Sequence, residues 1–149
     1  METRQHAQRE VENPCLWLEF SLLVALLAAV PVAAMPLVTI SSCYDGDTCR
    51  TSTGEKIRLV CIDNAELRGK RADPIPARAA MDHLRGMVVG RQVRLRRITT
   101  DRYGRTVGEL FLNGSNVQQR MVASGHAGIY WRYAGQCPWT SMTDNHSQQ

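Results

Sequence analysis

Apolar and polar positions alternate over several short stretches of the chain, and turn residues separate them. Residues 36–44, rich in Val, Thr and Ile, predict a strand that ends at the turn-favouring dipeptide Asp45-Gly46. A second strand is expected over residues 48–52. Thr53-Gly54 then turns the chain into a third over residues 56–62, where β-branched and apolar side chains dominate. These three make a meander. Pro76 is placed to start a helix, and Ala80, Met81, Leu84, Met87 and Val88 recur at helical spacing before Gly90. Over residues 92–98, Val93, Leu95 and Arg97 alternate with Arg94, Arg96 and Ile98, which predicts a strand with a strongly basic edge or face. Residues 108–112 give a fifth strand, Asn113-Gly114 a turn, and residues 117–124 a short helix stopped by Gly125.

The order three strands, helix, two strands, helix implies a mainly β, α+β fold. It fits a five-stranded OB-fold Greek-key barrel with one helix between strands 3 and 4 and a short helix after strand 5. A parallel α/β sheet would alternate strand and helix throughout. At 149 residues with 44% hydrophobic and 21% charged residues, the chain is sized for one packed domain and is not disordered or collagen-like.

That apolar share is unevenly spread. Residues 20–38 carry no charge, and small residues Val32-Ala33-Ala34 follow an apolar run of signal-peptide length. Residues 1–34 are therefore read as a leader, residues 35–133 as the folded domain and residues 134–149 as a polar tail. Cleavage would leave the protein secreted or periplasmic, an uncleaved leader would anchor it in a membrane, and a start at Met35 would leave it cytosolic. Residues 35–149 hold 16 basic and 10 acidic side chains, and 14 of the basic ones are Arg, whose planar fork suits phosphate. The formal charge thus rises from +4 to +6 on the smaller body, which favours a polyanionic partner. Cys43, Cys49, Cys61 and Cys137 make an even set of disulfide candidates, as an oxidising compartment would favour; three pairings are open. No C-x-x-C pair points to zinc.

Three polar blocks interrupt the strands. Asp45-Gly46-Asp47-Thr48 places two carboxylates two residues apart, Asp63-Asn64-Ala65-Glu66 gathers acids at the end of a buried strand that also carries Arg58, and Asp101-Arg102-Tyr103-Gly104-Arg105 precedes the last strand. Taken singly, each is as readily a solvated turn. Together they hold what phosphodiester hydrolysis needs. Asp47 and Asp63 are hard oxygen donors of the kind Ca²⁺ takes, Glu66 could act as general base toward water, and Arg58 and Arg105 could grip phosphate oxygens as charge builds.

With these blocks in this order, the sequence resembles the staphylococcal nuclease, or thermonuclease, family. The resemblance rests on Tyr44-Asp45-Gly46-Asp47-Thr48, on the run from Ile57 to Glu66, on Thr100 to Arg105, and on Val122-Ala123-Ser124-Gly125-His126-Ala127, and covers roughly residues 38–133. It implies an OB-fold endonuclease that uses Ca²⁺ to cut DNA and RNA to 3′-phosphate ends. Matched residue by residue, it implies calcium ligands at Asp47, Asp63 and, through its backbone carbonyl, Asn64, supported by Asp45 and Thr48. Arg58, Glu66 and Arg105 fall on the catalytic trio, and Tyr103 and Tyr133, with Arg102 beside them, on substrate-binding positions. Ala65 departs from the family's usual proline, which should hold Glu66 less rigidly. The tail after Tyr133 lacks the family's further helix, and a disulfide from Cys137 is expected to anchor it.

The function expected is an exported, calcium-dependent nuclease acting on single-stranded or frayed DNA and RNA as a monomer, with no protein partner. The alternatives are a nucleic-acid-binding OB module that does not cut, and a small disulfide-braced protein that recruits a protein partner. Acids beside phosphate repel the ligand and have no use in a pure binding module. The partner-recruiting reading leaves the acid and arginine pattern unexplained. The basic run Arg91, Arg94, Arg96 and Arg97 reads as a solvated strand edge.

Overall fold

A computed structural model describes residues 34–144 apart from 67, 68 and 71, so the leader assigned to residues 1–34 lies, but for its last residue, outside it. Five strands carry the body: β1 (Leu37–Cys43), β2 (Thr48–Thr51), β3 (Lys56–Leu59), β5 (Gln92–Thr100) and β6 (Thr106–Leu112). Short pieces complete it: β4 (Ile62–Asp63), β7 (Ser115–Asn116) and β8 (Gly128–Ile129). The helices are α1 (Pro74–Val88), α2 (Val117–Ala123) and α3 (Thr140–Asp144), with a 3-10 turn over Trp131–Gln136. Among the described residues no helix is long and apolar enough to cross a membrane.

The expected meander is present: β1 pairs antiparallel with β2, and β2 with β3. β1 also pairs with β5, β5 with β6, and β6 returns to lie parallel to β3 with Arg58 opposite Val107. That last pairing closes a five-stranded mixed barrel, which removes the open sheet edges of the larger strands. Inward positions Ile40, Ile57, Leu59, Val93, Leu95 and Leu110 are fully or almost fully buried, and Leu84 of α1 and Met121 of α2 plug the same core.

Two local departures from the expected pattern have physical causes. The third strand breaks after Leu59 instead of running to Ile62, because Cys61 adopts a left-handed φ of 64°. Backbone bonds from Leu59 N–H to the Asp47 carbonyl (2.7 Å) and from Val60 N–H to the Gly108 carbonyl (3.0 Å) hold this corner. In β5 the register shifts between Arg97 and Thr99, so the alternation fails there: Ile98 packs against the core and Arg97 stays on the outside. Helix α1 begins at Pro74, two residues before the expected start, with Asp73 ahead of it and Pro74 in its first turn.

Candidate active site

The carboxylate loop is built first by its ends. Cys43 and Cys49 face each other across β1 and β2 and are joined by a disulfide, so residues 44–48 form a closed loop. Inside it, Asp45 Oδ1 accepts from the Asp47 backbone N–H (3.0 Å), and Thr48 Oγ1 donates to Asp47 Oδ1 (3.0 Å). Gly46 is required by close approach, since a Cβ there would sit 2.8 Å from the Ala80 Cβ of α1 and 2.6 Å from Asn64 Nδ2. The loop thus rests on both α1 and the strand end that carries Asp63 and Asn64. Arg85 of α1 fixes the loop's base by donating from Nε to the Cys43 carbonyl (2.9 Å).

Arg58 projects from β3 into this loop. Its guanidinium pairs with Asp47 Oδ2 at 3.2 Å and also donates to the carbonyls of Leu59 and Ile62, so its plane is fixed from both sides. Arg105, the residue just before β6, is held by Asp101 through Nε to Oδ2 (2.7 Å), and its terminal nitrogen lies 3.4 Å from Thr48 Oγ1. A continuous polar chain therefore runs from Asp101 through Arg105, Thr48 and Asp47 to Arg58. Burial opposes ionisation of Asp101, but hydrogen bonds from Arg105 and Tyr103 outweigh it and keep the carboxyl below the usual range. Asp47 behaves in the opposite way. Burial, with the nearby Asp45 adding to it, pushes its carboxyl up to about 7 in spite of Arg58.

Tyr44, Asp45, Asp47, Arg58, Asp63, Asn64, Ala65 and Glu66 line one open cleft of about 480 Å³. A second cavity, about 270 Å³, adjoins it through Arg58 and is walled by Asp101, Arg105, Tyr130, Tyr133 and Gln136. The structure thus gathers the acids and Arg58 in one space and Arg58, Arg105 and Tyr133 in the next. Glu66 is exposed at the cleft, where its backbone carbonyl accepts from the Asp73 N–H at 2.9 Å. Tyr103 lines neither cavity: it is 68% exposed, with Arg102 Nη2 donating to its hydroxyl at 2.7 Å and the guanidiniums of Arg102 and Arg105 at 4.8 and 5.5 Å from its ring. Tyr133 packs edge-on to Tyr130, with ring centroids 5.1 Å apart.

The sequence places Asp101 in a polar block without a role, and its pattern of charges does not bring out Tyr130 or Trp131. The role of Asp101 could have been found from its four-residue spacing to Arg105, and Tyr130 and the 58% exposed Trp131 from the density of aromatics around Arg132. Among the described residues no three acidic, His or Cys side chains close into a ligating cluster. The donor chemistry nevertheless fits an oxygen-liganded divalent cation. The acids are hard donors on one cleft, and Asp47 is a buried carboxylate whose charge a single arginine does not offset.

Residues 56–144 match the family described as staphylococcal nuclease homologue. The chain belongs to the staphylococcal nuclease family. It is 38% identical over 93 residues to an uncharacterized endonuclease of Escherichia coli O157:H7, covering 60% of this chain and 58% of that one. It is 38% identical over 81 residues to the staphylococcal-like nuclease CAN1 of Arabidopsis thaliana, covering 52% of this chain and 23% of that one. It is 35% identical over 126 residues to protein ParB of Escherichia coli, covering 74% and 65%. The chain thus spans a little under three fifths of the first of these relatives and under a quarter of the second. The closed barrel agrees with the OB-type fold of the staphylococcal nuclease family, and the matched region takes in Arg58, Asp63, Asn64, Glu66, Arg105 and Tyr133, together with the tail as far as residue 144.

Proposed function

We propose that this chain is an exported, Ca²⁺-dependent endonuclease that hydrolyses phosphodiester bonds in single-stranded or frayed DNA and RNA, leaving 3′-phosphate ends. The observation that carries the reading is the polar chain linking Arg58 and Arg105 across adjoining cavities, one of them lined by Asp47, Asp63, Asn64 and Glu66. Family membership supports the reaction class, and the two disulfides support folding outside the cytosol.

Asp47, Asp63 and the Asn64 carbonyl would hold the cation, with Asp45 and Thr48 setting the orientation of Asp47. When bound, Ca²⁺ would supply charge neutralisation at the phosphate. Arg58 and Arg105 each offer several N–H donors to non-bridging phosphate oxygens, and these contacts strengthen as charge accumulates there. Glu66, exposed in the cleft it shares with Arg58, takes the proton of the attacking water. Tyr133, with Tyr130, offers aromatic faces for a neighbouring base, a contact that tolerates any base. Tyr103 and Arg102 stand farther along the substrate path.

The test incubates the full chain with single-stranded DNA and Ca²⁺, with and without chelator, beside Glu66→Gln. Cleavage that needs Ca²⁺ and falls by roughly 10²–10⁴ in Glu66→Gln is expected. Oligonucleotide binding without cleavage in the intact chain would instead assign a non-catalytic binding module.

A further inference from the structure

The two disulfides occupy the two halves of the site. Cys43–Cys49 closes the five-residue loop that carries Asp45, Asp47 and Thr48. Cys61–Cys137 joins the corner between Arg58 and Asp63 to a segment 76 residues away in sequence, the segment that supplies Tyr130, Tyr133 and Gln136 to the cavity beside Arg105. Between Tyr130 and Gln136 only Ala134 is buried, so little apolar packing holds this wall in place. Besides the bridge, the wall is tied at its two ends, by the short β4–β8 ladder before it and by Trp139, packed into the core, after it. Tyr130 N–H donates to the Cys61 carbonyl (2.9 Å), Arg96 donates to the Gln136 carbonyl (2.8 Å), and Trp139 Nε1 donates to buried Glu109 (2.8 Å).

We propose that the site is assembled by oxidation: the four cysteines are positioning residues, and the chain is latent as a nuclease until both bridges have formed. The inference rests on the proposed nuclease reading. With Cys43 and Cys49 as thiols, the loop keeps its turn bonds but loses its covalent closure, and the carboxylates no longer share one fixed arrangement for a cation. With Cys61 and Cys137 as thiols, the stretch between those ends loses its covalent tie to the corner beside Arg58, and the aromatic wall no longer keeps one fixed position against Arg58 and Arg105. Each bridge forms as two thiols give up two electrons and two protons to a disulfide oxidant, which becomes a dithiol; a dithiol reductant reverses the step. All four cysteines are at most 2% exposed, so bridges once made resist a dithiol until the segment around them opens. The device is therefore an activation step on reaching an oxidising compartment, which keeps a nuclease harmless to nucleic acid in the reducing one where it is made.

The test compares the full chain folded and kept reduced, with four alkylatable thiols counted in residues 35–149 by mass, with the same chain oxidised. Calorimetry with Ca²⁺ and anisotropy of a labelled single-stranded oligonucleotide, the latter in the Glu66→Gln background, give readouts that need no turnover. Reduction is expected to weaken each at least tenfold, with faster amide hydrogen exchange confined to residues 44–48 and 130–137. The double variant Cys43→Ser/Cys49→Ser should lose mainly Ca²⁺ affinity. Cys61→Ser/Cys137→Ser should lose mainly oligonucleotide affinity and raise KM more than it lowers kcat. Equal affinities in the reduced and oxidised chains overturn the proposal. So does exchange that accelerates throughout the barrel, since the bridges would then be general staples. An oxidised chain that binds but does not cut removes the nuclease reading alone, and the exchange pattern still decides what the bridges do.

Discussion

At the scale of single residues, Asp47 carries an unfavourable charge that the fold tolerates for its site. Its carboxyl is raised from 3.8 to about 7, chiefly by burial. Between these values the folded chain without a cation keeps a proton that the unfolded chain has released, so stability must fall as pH rises across that window and level off above it. In chelator, the denaturant midpoint is expected to drop from pH 5 to pH 8, and Asp47→Asn should flatten that slope whatever it does to the absolute level. Saturating Ca²⁺ should restore the midpoint at high pH in the native chain. A slope unchanged in Asp47→Asn would refute the assignment. Asp101 offers a complementary case, because it holds Arg105 in place while also bracing the loop through the Tyr103 N–H. Asp101→Asn keeps the shape but weakens the hold on the guanidinium. It should lower kcat about tenfold or more with KM little changed, by analogy with mispositioned groups. The charged blocks were legible because acids and arginines at strand ends have no packing role to explain them. The arrangement of those charges was not legible, because Arg58 reaches Asp47 only through the pairing of β2 with β3.

At the scale of elements, periodicity located every large strand and both longer helices, and failed where a tertiary contact overrides it. The run from Lys56 to Ile62 is uniformly strand-like in composition, yet it turns at Cys61, where a disulfide and the Gly108 carbonyl hold the corner. β8 and the 3-10 turn left no periodic signal because each is too short to show one. β8 exists only through its pairing with β4, Ile62 opposite Ile129. Gly108 marks the tightest crossing of the barrel. A Cβ there would stand 2.5 Å from the Arg96 carbonyl oxygen, and its own carbonyl accepts from Val60 N–H and from the buried Gln118 side chain. Gly108→Ala is therefore expected to force β5 and β6 apart and cost about 1–3 kcal/mol in urea unfolding. Full native stability in that variant would mean that the barrel yields more easily than its contacts imply.

At the scale of the whole molecule, net charge alone misplaces the nucleic-acid surface. The basic run of β5 reads from sequence as a solvated strand edge, and the fold engages three of its arginines within the chain. Arg96 pairs with buried Glu109, Arg97 forms a two-pronged contact with Glu55, and Arg94 donates to the Met35 carbonyl. Glu109 is itself 2% exposed and gathers Arg96, Asn116 and Trp139, which fixes the C-terminal segment to the barrel. Four arginines lie around the two cavities: Arg58 and Arg105 within, Arg102 and Arg132 exposed beside Tyr103 and Tyr133. Each phosphate neutralised on a single strand contributes about 0.7 to the slope of log affinity against log salt. Arg102→Ala and Arg132→Ala should therefore each reduce that slope by about this amount for a single-stranded oligonucleotide, measured by anisotropy between low and moderate salt. Arg97→Ala should leave the slope where it is, because its guanidinium is already matched by Glu55; its effect should appear in thermal stability instead. If Arg97→Ala lowers the slope and Arg102→Ala does not, the strand runs along the β5 face, and the cavities on either side of Arg58 are not where the phosphate backbone lies.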